Sequence, residues 1–360
     1  MKQAQRNVIS YSIHNILKFK IVKDKRSSFL RDLNFPFSFF EVEEVKDPEI
    51  TVNIGKFSPS NNNCYLVDHK YYIKQNYFYC KDSEGRAKWE VEVLGFEEGD
   101  TTINFNGRLL SPQQIITPDL LPQNLLLKPL IGYKLGRKGY FFVHAAAVSR
   151  DGQAYLLAGR GGAFKTTLAM DFVRKRGFHF LGDDGIIIHE NKVLSLPMHL
   201  GLFEYRLQHL VTEDLSYWDK VRLLKYLRKN PVCKDTDVVS VVDSATLKAV
   251  FFLVKTNGQK MDVSRIDLRE AIAKLIEANK LEMTTSPCPM VMPAGSGRYL
   301  KYMMAYSFIF PNSQVARYWS DLEKGVEHVL AGLPFYEINI PQYYSSTVFD
   351  EVQKCTEQAP

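Results

Sequence analysis

The chain has 360 residues, enough for two domains of roughly 100 to 200 residues each. Hydrophobic residues make up 45% and charged residues 24%, which is typical of a soluble globular protein and argues against intrinsic disorder. The net charge of +6 is compatible with an anionic ligand but falls short of the basic stripe of nucleic-acid-binding proteins, so no nucleic-acid partner is expected.

The cysteines and the N-terminus favour a cytoplasmic protein. The first 25 or so residues lack the continuous apolar centre of a signal peptide, and no stretch reaches the roughly 18 apolar residues of a membrane helix, so no membrane association is expected. Five scattered cysteines, odd in number and without a CxxC pair, indicate free thiols in a reducing compartment. They are Cys64, Cys80, Cys233, Cys288 and Cys355.

Two domains are predicted from the change in pattern along the chain. Residues 1–125 carry short aromatic and β-branched runs, such as EITVNIG and KWEVEVLG, separated by turn residues, which predicts a smaller, β-rich N-terminal domain. Pro118, Pro122 and a cluster of leucines mark the boundary to within about ten residues. The second domain is predicted over residues 126–360, and from Gly139 onward it follows the order strand, loop, helix, strand, which is typical of an α/β nucleotide-binding core.

A hairpin is predicted at the start of this core. Asp151-Gly152 is a favoured dipeptide for a two-residue type I′ turn, here between YFFVHAAAVSR and QAYLLAG. Residue 150 then pairs with 153, and stepping outward six residues brings His144 opposite Gly159. A histidine in an apolar strand is often only a packed core residue, but this register makes His144 a candidate for the chemistry of the loop that follows.

That loop, GRGGAFKTT, is a candidate phosphate-binding loop between a strand and a helix. Glycines let backbone N–H groups approach phosphate oxygens, a lysine reaches the β and γ phosphates, and the next hydroxyl binds Mg²⁺. Lys165 and Thr166 fit the last two roles. The candidate nucleotide-binding residues are Gly159, Gly161, Gly162, Ala163, Phe164, Lys165, Thr166 and Thr167.

Phe164 departs from this motif, because it stands where G-x-x-x-x-G-K-[ST] has its second glycine. A side chain there is tolerable only if the local backbone has an unstrained φ for a non-glycine residue. The alternative interpretation, a glycine-rich turn that binds no nucleotide, stays open at this point.

Asp183 and Asp184 follow the next apolar strand, FHFLG, at the end expected to lie beside the loop. One carboxylate can bind Mg²⁺ while its neighbour accepts a proton from the nucleophile. Gly177 is predicted to end the intervening helix, so that the unit forms a short βαβ crossover. The alternative for the pair is an Asp-Gly turn at a strand end.

Later segments predict a buried strand at LKAVFFLVK, helices at DLREAIAKLIEANK and SQVARYWSDLEKGVEHVLAG, and a strand at FYEINI. Arg206 and Arg265 are candidates to clamp a phosphoryl group, and His199 to line an acceptor site. The basic segment from Tyr217 to Lys234 could dock an acidic peptide. The alternatives are surface ion pairs for the two arginines, core packing for His199 and a solvated helix face for the basic segment.

The segments VHAAAV, AGRGGAFKTT and RGFHFLGDD together resemble the HPr kinase/phosphorylase superfamily and its HPr-kinase-like relatives, over about residues 141–190. The resemblance implies a P-loop core with the fold shared by ATP-dependent phosphoenolpyruvate carboxykinase. By resemblance, His144, Lys165 and Asp184 are catalytic, with Asp184 activating the substrate hydroxyl. Thr166 and Asp183 then bind the metal, although the roles of the two aspartates could be exchanged.

The activity implied by the resemblance is an ATP-dependent kinase that uses Mg²⁺ and transfers the γ-phosphoryl group to a hydroxyl of a protein, a peptide or a small molecule. The segment that follows the catalytic core in the bifunctional kinase/phosphorylases has no counterpart here, so phosphorylase activity on HPr is not expected. The alternative is a nucleotide-binding regulatory or assembly module. Homo-oligomerisation stays open.

Overall fold

The computed structural model describes residues 7–23, 36–84, 87–109, 126–210, 217–229, 238–283 and 298–358. The chain forms two compact units that interleave along the sequence. Unit 1 comprises Met1–Leu33, Phe40–Leu135 and Leu281–Ser320, and unit 2 comprises Asn34–Phe39, Gly136–Lys280 and Asp321–Pro360. Pro118, Pro122 and the end of the predicted N-terminal domain at residue 125 lie outside the described residues.

Unit 1 contains a mixed sheet, with strand order β3-β1-β2-β4-β9-β8-β7-β6-β5. Only the β2–β4 and β4–β9 pairs of this sheet, as described, are parallel. Side chains alternate between buried and less buried along β2, as expected for a strand with one face on a core. The strands are β1 (Asn7–Ile13), β2 (Leu17–Lys23), β3 (Glu41–Val42), β4 (Ile50–Ile54), β5 (Tyr65–Val67), β6 (Tyr71–Lys74), β7 (Tyr77–Glu84), β8 (Ala87–Leu94) and β9 (Thr101–Leu109).

Unit 2 contains the second mixed sheet, with the order β10-β14-β15-β16-β12-β11-β13 and with β18 paired to both β16 and β17. Residues 249–253 of β16 are continuously buried, as in a strand with both faces covered. The strands are β10 (Phe141–Val143), β11 (Ala145–Arg150), β12 (Gln153–Gly159), β13 (His179–Gly182), β14 (Ile186–His189), β15 (Lys192–Leu194), β16 (Ser244–Lys255), β17 (Asp262–Ile266) and β18 (Phe335–Ile340).

The helices predicted after the glycine-rich loop and at residues 267–280 and 313–332 are present, and the mixed α/β class is confirmed. The helix after the glycine-rich loop ends at Gly177, which caps it in the left-handed conformation, as predicted. The helices are α1 (Lys128–Gly136), α2 (Lys165–Arg176), α3 (Leu200–His209), α4 (Tyr217–Lys229), α5 (Leu268–Glu282), α6 (Arg298–Ile309), α7 (Gln314–Leu330) and α8 (Ser346–Gln358). Among the helices of the described ranges, none combines the length and apolar composition that crossing a bilayer requires.

The predicted hairpin register is confirmed. Arg150 pairs with Gln153 and the ladder runs to Ala145 opposite Ala158, one residue short of His144 and Gly159. Asp151 and Gly152 have φ values of 52° and 74°, as a type I′ turn requires. The turn therefore sets which residues of β11 lie beside the end of β12.

The prediction of one continuous strand from Tyr140 to Arg150 is wrong. The chain bends at His144, which separates β10 from β11. The two halves serve different neighbours, because β10 pairs with β14 whereas β11 pairs with β12 and β13. His144 thus stands at a break in the sheet.

Strands β12 and β13 both run antiparallel to β11, so they are parallel to each other with β11 between them. The predicted βαβ crossover through α2 therefore passes over one strand. Strands β16 and β18 are also parallel to β12. The carboxyl ends of all four strands meet at one edge of the sheet, where open α/β sheets bind their ligands.

The prediction of free thiols is confirmed for the three cysteines that the structure describes. Cys64, Cys80 and Cys355 are free thiols, whereas Cys233 and Cys288 lie outside the described residues.

Candidate functional site

The glycine-rich loop leaves the sheet at Gly159, opposite Leu253 of the neighbouring strand β16. Gly159 has a φ of 148°, and a Cβ atom at this position would lie 2.5 Å from the backbone oxygen of Leu253. Both the backbone conformation and the close approach of β16 therefore require glycine here. The loop begins from a fixed point in the sheet.

The loop turns tightly into α2. The Ala163 amide donates to the Arg160 oxygen at 3.1 Å, and Gly162 has a φ of 81°. The first helical hydrogen bond runs from the Leu168 amide to the Phe164 oxygen at 2.9 Å. Amide groups in such a turn, together with the positive end of the helix dipole, suit an anion.

Phe164 adopts the left-handed conformation, with φ 64° and ψ 18°. The sequence expectation that a side chain would need an unstrained φ here is therefore wrong: the loop keeps a conformation that favours glycine, and phenylalanine adopts it at a cost of about 1 to 2 kcal/mol. The ring contacts Tyr344, with ring centroids 5.6 Å apart, and the Nζ of Lys255 lies 4.9 Å from its centroid. Tyr344 in turn donates to the Asp171 carboxylate of α2 at 2.9 Å.

Lys165 is buried and folds back over the loop. Its Nζ donates to the Gly159 oxygen at 2.6 Å and to the Arg160 oxygen at 3.1 Å. These carbonyls hold the ammonium beside the loop backbone. Thr167, two positions on, is buried within α2.

Thr166 links the loop to the first of the two aspartates. Its hydroxyl donates to Oδ2 of Asp183 at 2.7 Å. Thr166 lies in the first turn of α2, and Asp183 directly follows β13. This hydrogen bond therefore joins the start of the crossover helix to the end of the strand that the helix leads to. The predicted association of loop and carboxylate is therefore present in the structure.

The aspartates lie between two tightly packed glycines. A Cβ atom on Gly182 would come within 2.8 Å of the backbone oxygens of Gly185 and Leu196, and one on Gly185 would lie 2.4 Å from the Phe142 ring. Asp184 itself has a φ of 79°, which aspartate tolerates better than most residues. Close packing therefore requires glycine on both sides of the aspartate pair.

The electrostatic environment of Asp183 opposes ionisation. Burial raises the pKa of its carboxyl and the neighbouring Asp184 adds to this, whereas the hydrogen bond from Thr166 and the charge of Lys165 act in the opposite direction. A carboxylate held in this way is stabilised by any cation that binds beside it.

His144 lies against the second aspartate. Its Nδ1 is 3.2 Å from the backbone oxygen of Asp184 and 3.5 Å from Oδ1 of the same residue. A carbonyl oxygen can only accept, so Nδ1 carries the proton. The imidazole is buried, with 6% of its side chain exposed, whereas 30% of the Asp184 side chain is exposed.

The sequence of this chain matches no protein-family model, and comparison with curated proteins gave no match.

The other sequence candidates lie on β17, at α3 and, in part, on α4. Arg265 packs on the Tyr336 ring at 5.5 Å, and the Nε of Arg206 is buried with no hydrogen-bond partner among the described residues. His199 immediately precedes α3 with a φ of 55°. The basic segment forms α4 as far as Lys229, and its remainder to Lys234 lies outside the described residues.

Three residues near the site were missed by sequence reasoning: Lys255, Asn279 and Tyr344. Lys255 ends a strand that was predicted, and strand ends are where ligands bind, so this signal was available. Asn279 is a polar residue on the buried face of α5, and that pattern could have marked it. Tyr344 lies in a loop with no pattern that points to Phe164.

We expect Phe164→Gly to be more stable than Phe164→Ala by about 1 kcal/mol, because both lose the ring but only glycine adopts a positive φ freely. The control is the same two substitutions, to glycine and to alanine, at Val173 inside α2. There alanine should be the more stable by about 1 kcal/mol. Urea unfolding of the four variants measures both differences, and an alanine variant at 164 as stable as the glycine variant would contradict the left-handed assignment.

The raised pKa of Asp183 predicts a pH-dependent loss of stability in the absence of divalent cations. The folded protein binds this proton more tightly than the unfolded chain, so the free energy of unfolding should fall as pH rises from about 4 through the raised pKa. Asp183→Asn should remove this part of the fall, since an amide stays uncharged and still accepts from Thr166. Asp151→Asn, in the exposed hairpin turn, should not.

Urea unfolding of wild type and both variants between about pH 4 and 8, with a chelator present, checks this expectation. Parallel stability curves for wild type and Asp183→Asn would show that the carboxyl titrates normally.

Proposed function

We propose that this chain is an ATP-dependent kinase that transfers the γ-phosphoryl group to a hydroxyl acceptor on a protein, a peptide or a small molecule. The observation that carries the proposal is the 2.7 Å hydrogen bond from Thr166 to Asp183, which joins the hydroxyl after the loop lysine to a carboxylate at the next parallel strand end. This is the arrangement that P-loop enzymes use to hold Mg²⁺ beside a nucleotide.

The loop supports phosphate binding in this proposal. Its conformation at residue 164 is the one glycine normally supplies, so phenylalanine has changed the side chain without changing the backbone conformation. Lys165 already has its ammonium at the loop carbonyls. Exchanging those neutral acceptors for phosphate oxygens would add the attraction between opposite charges to the hydrogen bonds of the ammonium.

The oxygens of Thr166 and Asp183 fit Mg²⁺ as a ligand pair. A hydroxyl and a carboxylate are the hard oxygen ligands that this ion prefers. The raised pKa of Asp183 is consistent with this role, since a bound cation would offset the burial of its charge. When bound, Mg²⁺ would neutralise charge on the transferred phosphoryl group.

Asp184 is the better of the two aspartates for the role of base. Asp183 already accepts the Thr166 hydroxyl, whereas the Asp184 side chain is partly exposed and lies beside His144. In the proposal, Asp184 accepts the proton of the acceptor hydroxyl. The proton that His144 carries on Nδ1 lies beside the Asp184 carboxylate and would orient it and stabilise the charge that it carries before the proton is transferred.

Nucleotide binding and phosphoryl transfer can be measured separately. Purified protein would be assayed for ATP-dependent thermal stabilisation and, with γ-labelled ATP, for labelling of the protein, peptide and small-molecule fractions of an extract from the source cell. We expect Lys165→Ala to lose both signals, and Asp184→Asn to keep the stabilisation while transfer falls about 100-fold or more. Lys175→Ala, which removes an ion-paired lysine from the end of α2, should change neither.

Each outcome selects between explanations. Full transfer by both site variants would contradict the assignment of these residues. Stabilisation by ATP with no labelled fraction would favour a nucleotide-binding regulatory or assembly module. Absence of both signals in the wild type would show that the loop binds no ATP.

A further inference from the structure

We infer that Asn279 of α5 is a positioning residue for His144, acting through the main chain on both sides of the break in the sheet. The inference concerns the site of the proposed kinase and rests on that proposal for its catalytic meaning. Asn279, His144 and the residues that they contact here all belong to unit 2.

The contacts of Asn279 are specific. Its Oδ1 accepts a hydrogen bond from the His144 amide at 2.6 Å, and its Nδ2 donates to the Phe142 oxygen at 3.1 Å. One planar amide thus satisfies a donor and an acceptor two residues apart. Asn279 is buried, and a buried amide is costly unless it is paired in this way.

The break explains why such a clamp is needed. His144 lies between β10 and β11 and belongs to the pairing register of neither strand. A buried backbone amide must find another acceptor. Asn279 supplies it from a different element of the fold, which fixes the bend at this residue.

Phe142 and His144, whose backbone groups bind Asn279, both direct their side chains to the segment Gly182–Gly185. The Phe142 ring covers Gly185, where a Cβ atom would lie only 2.4 Å from it. The His144 ring donates from Nδ1 to the Asp184 oxygen at 3.2 Å. A shift of the main chain at the break would therefore move the imidazole away from Asp184.

The orientation of the imidazole also sets its tautomer. With the proton on Nδ1 and directed at a carbonyl, the neutral ring has its lone pair on Nε2. Asn279 would maintain this tautomer by holding the backbone that carries the ring. A purely structural asparagine would affect stability without any effect on the tautomer.

The test compares three variants of the full chain. Asn279→Leu removes both hydrogen bonds, and Asn279→Asp keeps an acceptor for the His144 amide but places an acceptor against the Phe142 oxygen. Ile276→Ala, one turn earlier on the buried face of α5, is the control that lowers stability without touching the clamp. If Asn279→Leu does not fold, the aspartate variant carries the comparison.

Long-range ¹H–¹⁵N correlation spectra at about pH 8 report the tautomer of a neutral imidazole, with the His144 signal assigned by its loss in His144→Gln. We expect the Nδ1–H pattern in wild type and Ile276→Ala, and a mixture with the Nε2–H tautomer in the Asn279 variants. Hydrolysis of Mg-ATP, with water as acceptor, gives the kinetic readout. For the Asn279 variants kcat should fall about 10- to 100-fold while KM for ATP changes little, because misplaced groups reduce rate more than binding of the phosphates.

An unchanged His144 tautomer in both Asn279 variants would overturn the inference. It would also be overturned if an Asn279 variant had the same thermal stability and the same kcat as Ile276→Ala. Failure of the proposed function is recognised separately, since wild type would then hydrolyse no ATP while the spectra still decide whether Asn279 orients His144. Full hydrolysis by His144→Gln, together with the expected spectra, would remove the catalytic role of His144 but leave the clamp.

Discussion

The position of β11 between β12 and β13 is the constraint on which the candidate site depends. Because both neighbours run antiparallel to β11, their carboxyl ends lie at the same edge, and the loop after β12 meets the aspartates after β13. The β11–β12 register, set by the Asp151-Gly152 turn, then brings the break at His144 to that edge. The 2.7 Å contact between Thr166 and Asp183 is a consequence of this arrangement.

The parts of the site that were predictable from sequence depend on local chemistry. A two-residue turn has few allowed conformations, so the register from Asp151-Gly152 was a strong inference. The strand, loop and helix around Lys165 likewise carry their own signals. The paired aspartates could be associated with the loop because a short crossover leaves few topologies for the next strand.

Other features were outside the reach of sequence because they depend on contacts between distant segments. The bend at His144 arises because β10 and β11 pair with different strands, and its clamp comes from Asn279, 135 residues later in the chain. The φ of Phe164 was not predictable either. Its ring contacts Tyr344 and Lys255, which come from two other parts of unit 2.

Unfavourable backbone conformations and a buried carboxyl group occur together at this edge of the sheet. Phe164 and Asp184 both have positive φ values, and burial raises the pKa of Asp183. Strain and desolvation of this kind persist only where surrounding contacts over-determine the structure, and they cluster at functional sites. Phe164 is the informative case, because it keeps a left-handed conformation that costs a phenylalanine about 1 to 2 kcal/mol. The loop thus keeps the backbone path that glycine would give it, although its side chain differs. The direction of the loop amides is kept with that path.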